Sequence, residues 1–349
     1  MEQKEAEKTQ QDLLRTINQL YKLVVLLFIT ILIMPAAYYF MHDLDKIFES
    51  KDKAELPYET GDVEEPTDKE EGYWMPPSLL SIENKDHKEL VAYGKELITN
   101  TAVYLGPKGS VAQISNGLNC QNCHLDAGTK VYGNNYGSVA ATYPKMRARS
   151  GTMENIFKRV NDCFERSLNG TALDTNSKEM LAIKAYIEFL GTDVPKGEKV
   201  KGSGLKELAY LDRAASPDLG KEVYAAKCQS CHKADGSGML KPEGNAYQYP
   251  PLWGDHSYND AAGLYRLSNF AKYAKYNMPL GADHRHPQLS DEEAWDLAAF
   301  VNSQPRPHKA TPSDWPDISK KPMDHPFGPY ADAFSEQQHK YGPFKEMKK

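Results

Sequence analysis

Cysteine is scarce in this chain, an excess of basic charge is missing, and uncharged apolar stretches of any length are confined to one place. Lys and Arg number 42 against 48 Asp and Glu in 349 residues, a formal charge of -6, with a pI near 6.0. That balance lacks the basic footprint of a nucleic-acid binder and excludes the class. Five cysteines are too few for a disulfide scaffold. Strand-period alternation of useful length is also missing, which points to an all-α chain. At 40% hydrophobic content the chain is not disordered as a whole, and its length predicts two domains rather than one.

The apolar stretch, residues 23–41, holds nineteen uncharged residues; at about 1.5 Å each it spans roughly 28 Å, close to a bilayer core. A cleaved signal peptide is the competing reading, but 22 residues precede the run and only Pro35-Ala36-Ala37 approximates a cleavage site. An uncleaved anchor is therefore expected. Residues 49–71 are acidic, interrupted by proline and poor in apolar side chains, as in a solvated tether.

Beyond the tether the sequence repeats itself. Gly94-Lys95-Glu96-Leu97, Cys120-Gln121-Asn122-Cys123-His124, Tyr143-Pro144, a helical stretch over 152–168 and an amphipathic one over 177–190 form the first copy. Gly220-Lys221-Glu222-Val223, Cys228-Gln229-Ser230-Cys231-His232, Tyr249-Pro250, a helical 260–276 and a final 290–303 form the second. Asp86 with Glu89, and Ser290 with Glu293, have the spacing of capping boxes and mark helix starts. The expected fold is all-α, with two cytochrome-c-like haem domains in tandem behind one transmembrane helix and an acidic tether. The expected boundaries are a cytoplasmic segment 1–22, an anchor 23–41, a tether 42–85, a first haem domain 86–195, a linker 196–215, a second haem domain 216–305 and a Pro-rich tail 306–349 lying over the surface.

Each C-x-x-C-H string assigns its residues separate work: two thiols add to the haem vinyl groups and the histidine ligates iron. Two covalently bound haem c groups follow, on Cys120, Cys123 and His124 and on Cys228, Cys231 and His232. A zinc site would leave the repeat order unexplained. Because haem c is attached on the outer side of the bacterial inner membrane, everything after Met41 is expected in the periplasm.

The second axial ligand sets potential and reactivity. In the second copy Met278 follows a helix and precedes the last one, the order expected of a distal ligand; Met239, His256, His284 and His286 are the alternatives. The first copy has no histidine between His124 and His232, which leaves Cys163, Met146, Met153 and Met180. On a helical wheel Met153, Phe157, Val160, Phe164 and Leu168 share an apolar face, edged by Arg159, Cys163 and Ser167. A buried cysteine is ordinarily a small hydrophobe. Here Lys145, Arg147, Arg149, Lys158, Arg159 and Arg166 surround it in sequence, and cations favour the thiolate. Some of these cations would pair with Glu154, Asp162 and Glu165, while a guanidinium on the cysteine's edge suits an oxyanion.

The stretch Arg159-Val160-Asn161-Asp162-Cys163-Phe164-Glu165-Arg166-Ser167-Leu168-Asn169-Gly170, with Leu118-Asn119-Cys120-Gln121-Asn122-Cys123-His124-Leu125 and Tyr249-Pro250-Pro251-Leu252-Trp253-Gly254, resembles the dihaem thiosulfate dehydrogenases, also called tetrathionate reductases. The resemblance implies that Cys163 is the axial thiolate of the active-site haem, that Arg149, Arg159 and Ser167 line the substrate pocket, and that Met278 ligates the second haem. It implies thiosulfate or tetrathionate as substrate, and a periplasmic or membrane redox partner such as a cytochrome, a copper protein or an oxidase. Where some relatives have a lysine before that methionine, this chain has Asn277, so ligand exchange by lysine is not expected. A tethered electron carrier without a substrate site and a sulfur-transfer cytochrome using Cys163 are the rival readings.

Overall fold

The computed structural model describes residues 19–20, 22–23, 26, 67–69 and 71–348. The chain divides into two units, Met1–Glu65 and Pro66–Lys349. The expected anchor lies outside the described residues apart from Leu23 and Leu26, both helical and exposed. Among the described residues no helix is long and apolar enough to cross a membrane. All that follows concerns the second unit.

Among the described residues, short polar side chains start all but one of the longer helices, taking up backbone N–H groups that have no intrahelical partner. In the first half, helix α1 (Lys85–Thr99) begins with Asn84 Oδ1 accepting from His87 N at 2.8 Å, so Asp86 sits inside the first turn and is not the cap. Helix α2 (Ile156–Arg166) is capped by Asn155 and α3 (Lys178–Leu190) by Ser177. In the second half, α4 (Pro217–Lys227) has Ser216 as cap and proline at its first position. Helix α5 (Leu267–Asn277) follows a 3-10 turn at Gly263–Tyr265. Helix α6 (Asp291–Ser303) opens with the expected Ser290–Glu293 capping box.

The sequence suggested one helix over 152–168, but the chain instead makes a hairpin, β1 (Lys145–Arg147) pairing antiparallel with β2 (Thr152–Glu154), and α2 starts after it. Extended backbone at Asn155, whose side chain caps the helix, separates the two. Met153 therefore lies opposite Met146 on the hairpin, outside the apolar face of α2. A second short hairpin joins β3 (Met239–Leu240) to β4 (Tyr247–Tyr249). The fold is otherwise helical.

In each half the first helix crosses the last, and the repeated Gly-Lys-Glu lies at the crossing. A Cβ on Gly94 would stand 2.0 Å from Ala182 O, and one on Gly220 1.9 Å from Asp296 O. Glycine in a helix is unfavourable relative to alanine, so its presence at both crossings reflects backbone contact. Gly94→Ala and Gly220→Ala are each expected to destabilise the protein by about 2–3 kcal/mol, seen as a lowered denaturant midpoint with unchanged slope.

Two cores result. Val91, Leu97, Ile98, Phe164, Met180, Ile183 and Tyr186 fill the first, with Cys120 packed against it; Tyr224, Phe270, Trp295, Leu297 and Val301 fill the second, with Cys228 against it. Each fully buried large side chain contributes about 1.5–3 kcal/mol. The two C-x-x-C-H strings thus belong to separate cores. Polar bonds lock the halves together: Tyr273 Oη donates to Asn122 O at 2.6 Å, Asn116 Nδ2 to Ser257 O at 2.9 Å and Asn277 Nδ2 to Tyr132 O at 3.2 Å.

The flanking segments are more integrated than their composition suggests. At the end of the tether, Asp68 and Glu71 pair with Arg285 at 2.7 and 3.2 Å. The tail is irregular, as its prolines predict, but Phe344 and Met347 enter the second core, and its short helix α7 (Glu336–Tyr341) buries His339.

Candidate active site

Helix α2 and its C-cap residue present Arg159, Cys163 and Ser167, at i, i+4 and i+8, to a cavity of about 260 Å³. Cys120, Cys123 and His124 line the same cavity. Of the four distal candidates in this half, only Cys163 is there. Met180 is completely buried in the core, and Met146 and Met153 are 62% and 60% exposed on the hairpin.

Arg159 NH1 donates to Cys163 Sγ at 3.1 Å. Sulfur charge at Cys163 is the main reason the Arg159 guanidinium holds its proton more tightly than usual, against the opposing effect of burial. Lys145, Arg147 and Lys199 add cations to the wall. Burial, with Arg147, Lys199 and Arg159 nearby, weakens the hold of Lys145 on its proton, the expected result of crowding positive charge. Buried Glu154 lies 3.6 Å from Arg147 and offsets part of this charge, leaving the wall positive through Arg159, Lys145 and Lys199.

His124 is prepared as a ligand. Burial, the largest cause, pushes its ring down to about 4, so it is neutral at pH 7. Its Nδ1 donates to Asn134 O at 2.6 Å, leaving Nε2 with a free lone pair. Tyr136 stacks on the ring at 4.5 Å, close against Gly128, which has φ +81 and where a Cβ would stand 2.1 Å from the tyrosine ring. Thr101 Oγ1 donates to Leu97 O at 2.7 Å, accepts the Cys120 N–H at 3.0 Å and lies 3.3 Å from its Sγ. In the second half His232 Nδ1 donates to Pro250 O at 2.8 Å, and burial lowers the affinity of the ring for a proton. None of the five cysteines is in a disulfide. Two cysteines that form no disulfide, beside a neutral imidazole held at Nδ1 by a backbone carbonyl, suit covalent haem with a histidine ligand.

Met278 caps the C-terminus of α5, its N–H on Ala274 O. The alternatives are placed otherwise. Met239 is 39% exposed on β3, His256 and His286 are exposed, and His284 is buried between Tyr73 and Tyr132. Arg149 does not line the Cys163 cavity. It sits in the turn between β1 and β2 and faces a neighbouring cavity with Arg266, Lys309 and Asp314. Lys158 and Arg166 pair with Asp162 and Asp314. Sequence reasoning passed over Lys199, which lies in the linker, and Thr101, which carries no local signal.

Profiles of protein families match the chain twice: the cytochrome c domain of the SoxA/TsdA group over residues 110–195, and cytochrome c over residues 217–305. A thiosulfate dehydrogenase of Allochromatium vinosum is 42% identical over 198 residues, 56% of this chain and 72% of that protein. The chain belongs to the thiosulfate dehydrogenase family. Two cytochrome c domains carry two covalently bound haem c groups. The Stutzerimonas stutzeri member of the family is 34% identical over 68% of this chain and 74% of its own. The Psychrobacter arcticus member is 41% identical over 58% of this chain, and the match spans 61% of its length. Among solved structures, thiosulfate dehydrogenase TsdBA from Marichromatium purpuratum superposes with a TM-score of 0.62 at 30% identity, covering 67% of this chain and half (50%) of that one. The family's mostly helical, two-domain cytochrome fold is therefore shared.

Proposed function

We propose that this chain joins two thiosulfate ions through their sulfane sulfurs to give tetrathionate with loss of two electrons, or runs the reverse, at Cys163. Placement of Cys163 on the cavity that holds Cys120, Cys123 and His124, with Arg159 NH1 3.1 Å from its sulfur, carries the reading. The two haems, once attached, supply two one-electron acceptors and a route outward. Cys163 Sγ would form an S–S bond to the sulfane sulfur of one thiosulfate as two electrons leave. The sulfane sulfur of the second thiosulfate would then displace Sγ, releasing tetrathionate and restoring the thiolate. Arg159, Arg147, Lys145 and Lys199 would hold the sulfonate ends and screen two dianions from each other, while Ser167 donates to one of their oxygens. Met278 is the proposed distal ligand of the second haem.

The proposed setting is the periplasmic face of a bacterial inner membrane, with residues 23–41 as anchor and a redox partner receiving the electrons. Purified protein with thiosulfate and an artificial acceptor, and with tetrathionate and a reduced donor, tests the activity. Turnover in at least one direction is expected. Reduction by the artificial donor without turnover of either sulfur compound would leave only an electron carrier.

A further inference from the structure

Residues 306–349 fall outside both matched domains, yet they reach the helix that carries Cys163. Arg166, in the last turn of α2, donates through NH1 and NH2 to the two carboxylate oxygens of Asp314 at 2.8 and 2.9 Å. Both side chains are nearly buried, at 11% and 13% exposure. Trp315 donates its backbone N–H to Arg149 O at 2.6 Å. Its buried ring lies 5.9 Å from the Arg149 guanidinium carbon. Pro316 presses on the hairpin turn, where a Cβ on Gly151 would stand 2.6 Å from the proline ring. Trp315 adopts φ +59, a conformation unfavourable for a bulky residue that persists where surrounding contacts hold it.

We propose that residues 306–327 form a strap that positions α2 and Arg149 for the reaction at Cys163, with Asp314 and Trp315 as its positioning residues. The inference rests on the function proposed above. The last carbonyls of a helix have no partner within it; in α2, Cys163 O and Phe164 O are taken by Leu168 N and Gly170 N just beyond the helix, whereas Glu165 O and Arg166 O are reached from the second domain. Buried Asn259 of the second domain donates its N–H to Arg166 O at 3.1 Å and its Nδ2 to Glu165 O at 2.9 Å. The Arg166 side chain is then pinned by the strap. Ser167 follows directly, one turn beyond Cys163, so any loosening there moves the row that faces the cavity.

Arg149 is held differently. Among the described residues no carboxylate forms an ion pair with it; the strap supplies a ring beside its guanidinium and a bond to its backbone. Burial and the charges of Arg166 and Arg159 push its pKa down to about 10, as for a cation left without its own anion. Bidentate Asp–Arg geometry combines charge with direction, which suits a part that fixes position.

Haem-loaded full-length Asp314→Asn, Asp314→Glu and Trp315→Ala proteins test the strap. Asp314→Asn is expected to alter the optical spectrum and potential of the first haem, leave the second unchanged, and lower kcat/KM by about 10–100-fold. Asp314→Glu, which keeps the carboxylate, is expected to recover most of both. Arg149 lies outside the Cys163 cavity and acts on an anion there only through its charge, which is felt at Arg159; Trp315→Ala keeps the backbone N–H, so it is expected to raise KM for thiosulfate about threefold with kcat and both spectra unchanged. A native first-haem spectrum in Asp314→Asn overturns the link to α2, and a native KM in Trp315→Ala overturns the link to Arg149. Should Asp314→Asn fail to fold, the Trp315→Ala KM decides. Should the wild-type protein turn over no sulfur compound, the proposed function fails, and the first-haem spectrum of Asp314→Asn against wild type still decides the strap.

Discussion

Cys163→Met is expected to lower thiosulfate and tetrathionate turnover by on the order of 10³-fold or more, the scale of losing a covalent nucleophile. The substitution keeps a sulfur in the side chain, and its two extra carbons can extend from a half-buried position into the adjoining cavity, so α2 should still pack and both haems should still attach. The nucleophilic sulfur is what goes. Arg159, now 3.1 Å from Cys163 Sγ, would face a thioether that neither accepts strongly from a guanidinium nor forms an S–S bond with substrate. A methionine ligand also raises haem potential relative to thiolate, so the first haem should titrate at higher potential and show an altered spectrum. Arg159→Ala should separate charge from covalency: attachment intact, sulfur ligand retained, and anion use weakened by about 2–4 kcal/mol in kcat/KM. Stopped-flow reduction by thiosulfate, with potentiometric titration of both haems, measures all of this. Native turnover in Cys163→Met would remove Cys163 from the chemistry and place the reaction at another group.

Chemistry that lies within a few residues was legible. A C-x-x-C-H string is complete in itself, and Arg159, Cys163 and Ser167 fall on one helix edge because 3.6 residues per turn puts them there. The repeated Gly-Lys-Glu was visible as a pattern, but its cause needed the crossing helices, since only coordinates show Ala182 O and Asp296 O against the missing Cβ positions. The hairpin at 145–154 escaped for a different reason. Strands of three residues are too short to show alternation, and the methionines paired across it read equally well as the start of an apolar helix face. Arg149 was assigned to the pocket by resemblance alone, and the hairpin turn sends it to the neighbouring cavity instead. Lys199 and Asp314 reach the region of α2 from segments that looked like linker and tail, and nothing local marks such distant contributions.

Met278→Gly is expected to abolish the weak thioether-to-iron band of the oxidised protein, lower the potential of the second haem and cut steady-state turnover at least about tenfold, while thiosulfate still reduces the first haem. The backbone makes this a clean test. Met278 has extended φ and ψ of -133 and 151 and no positive-φ requirement, and its N–H bond to Ala274 O survives the change. On either side the loop is tied to the first domain: Asn277 Nδ2 to Tyr132 O at 3.2 Å, and Ala282 O to Lys130 Nζ at 3.0 Å. One helical turn earlier, Tyr273 Oη reaches Asn122 O between the cysteines of the first haem motif at 2.6 Å. Those bonds belong to neighbouring residues, so removing the thioether should leave the two halves docked at a stability cost of about 1–3 kcal/mol for a half-buried side chain. Electrons would then enter a pair of haems in fixed geometry and meet a less favourable second step, so pre-steady-state reduction of the first haem should remain fast while delivery to an acceptor slows. If the band and the turnover both survive, Met278 is a packing residue and the ligand must come from the remaining candidates. Of these His284 is the buried one, and drawing it to the iron would break its contacts with Tyr73 and Tyr132.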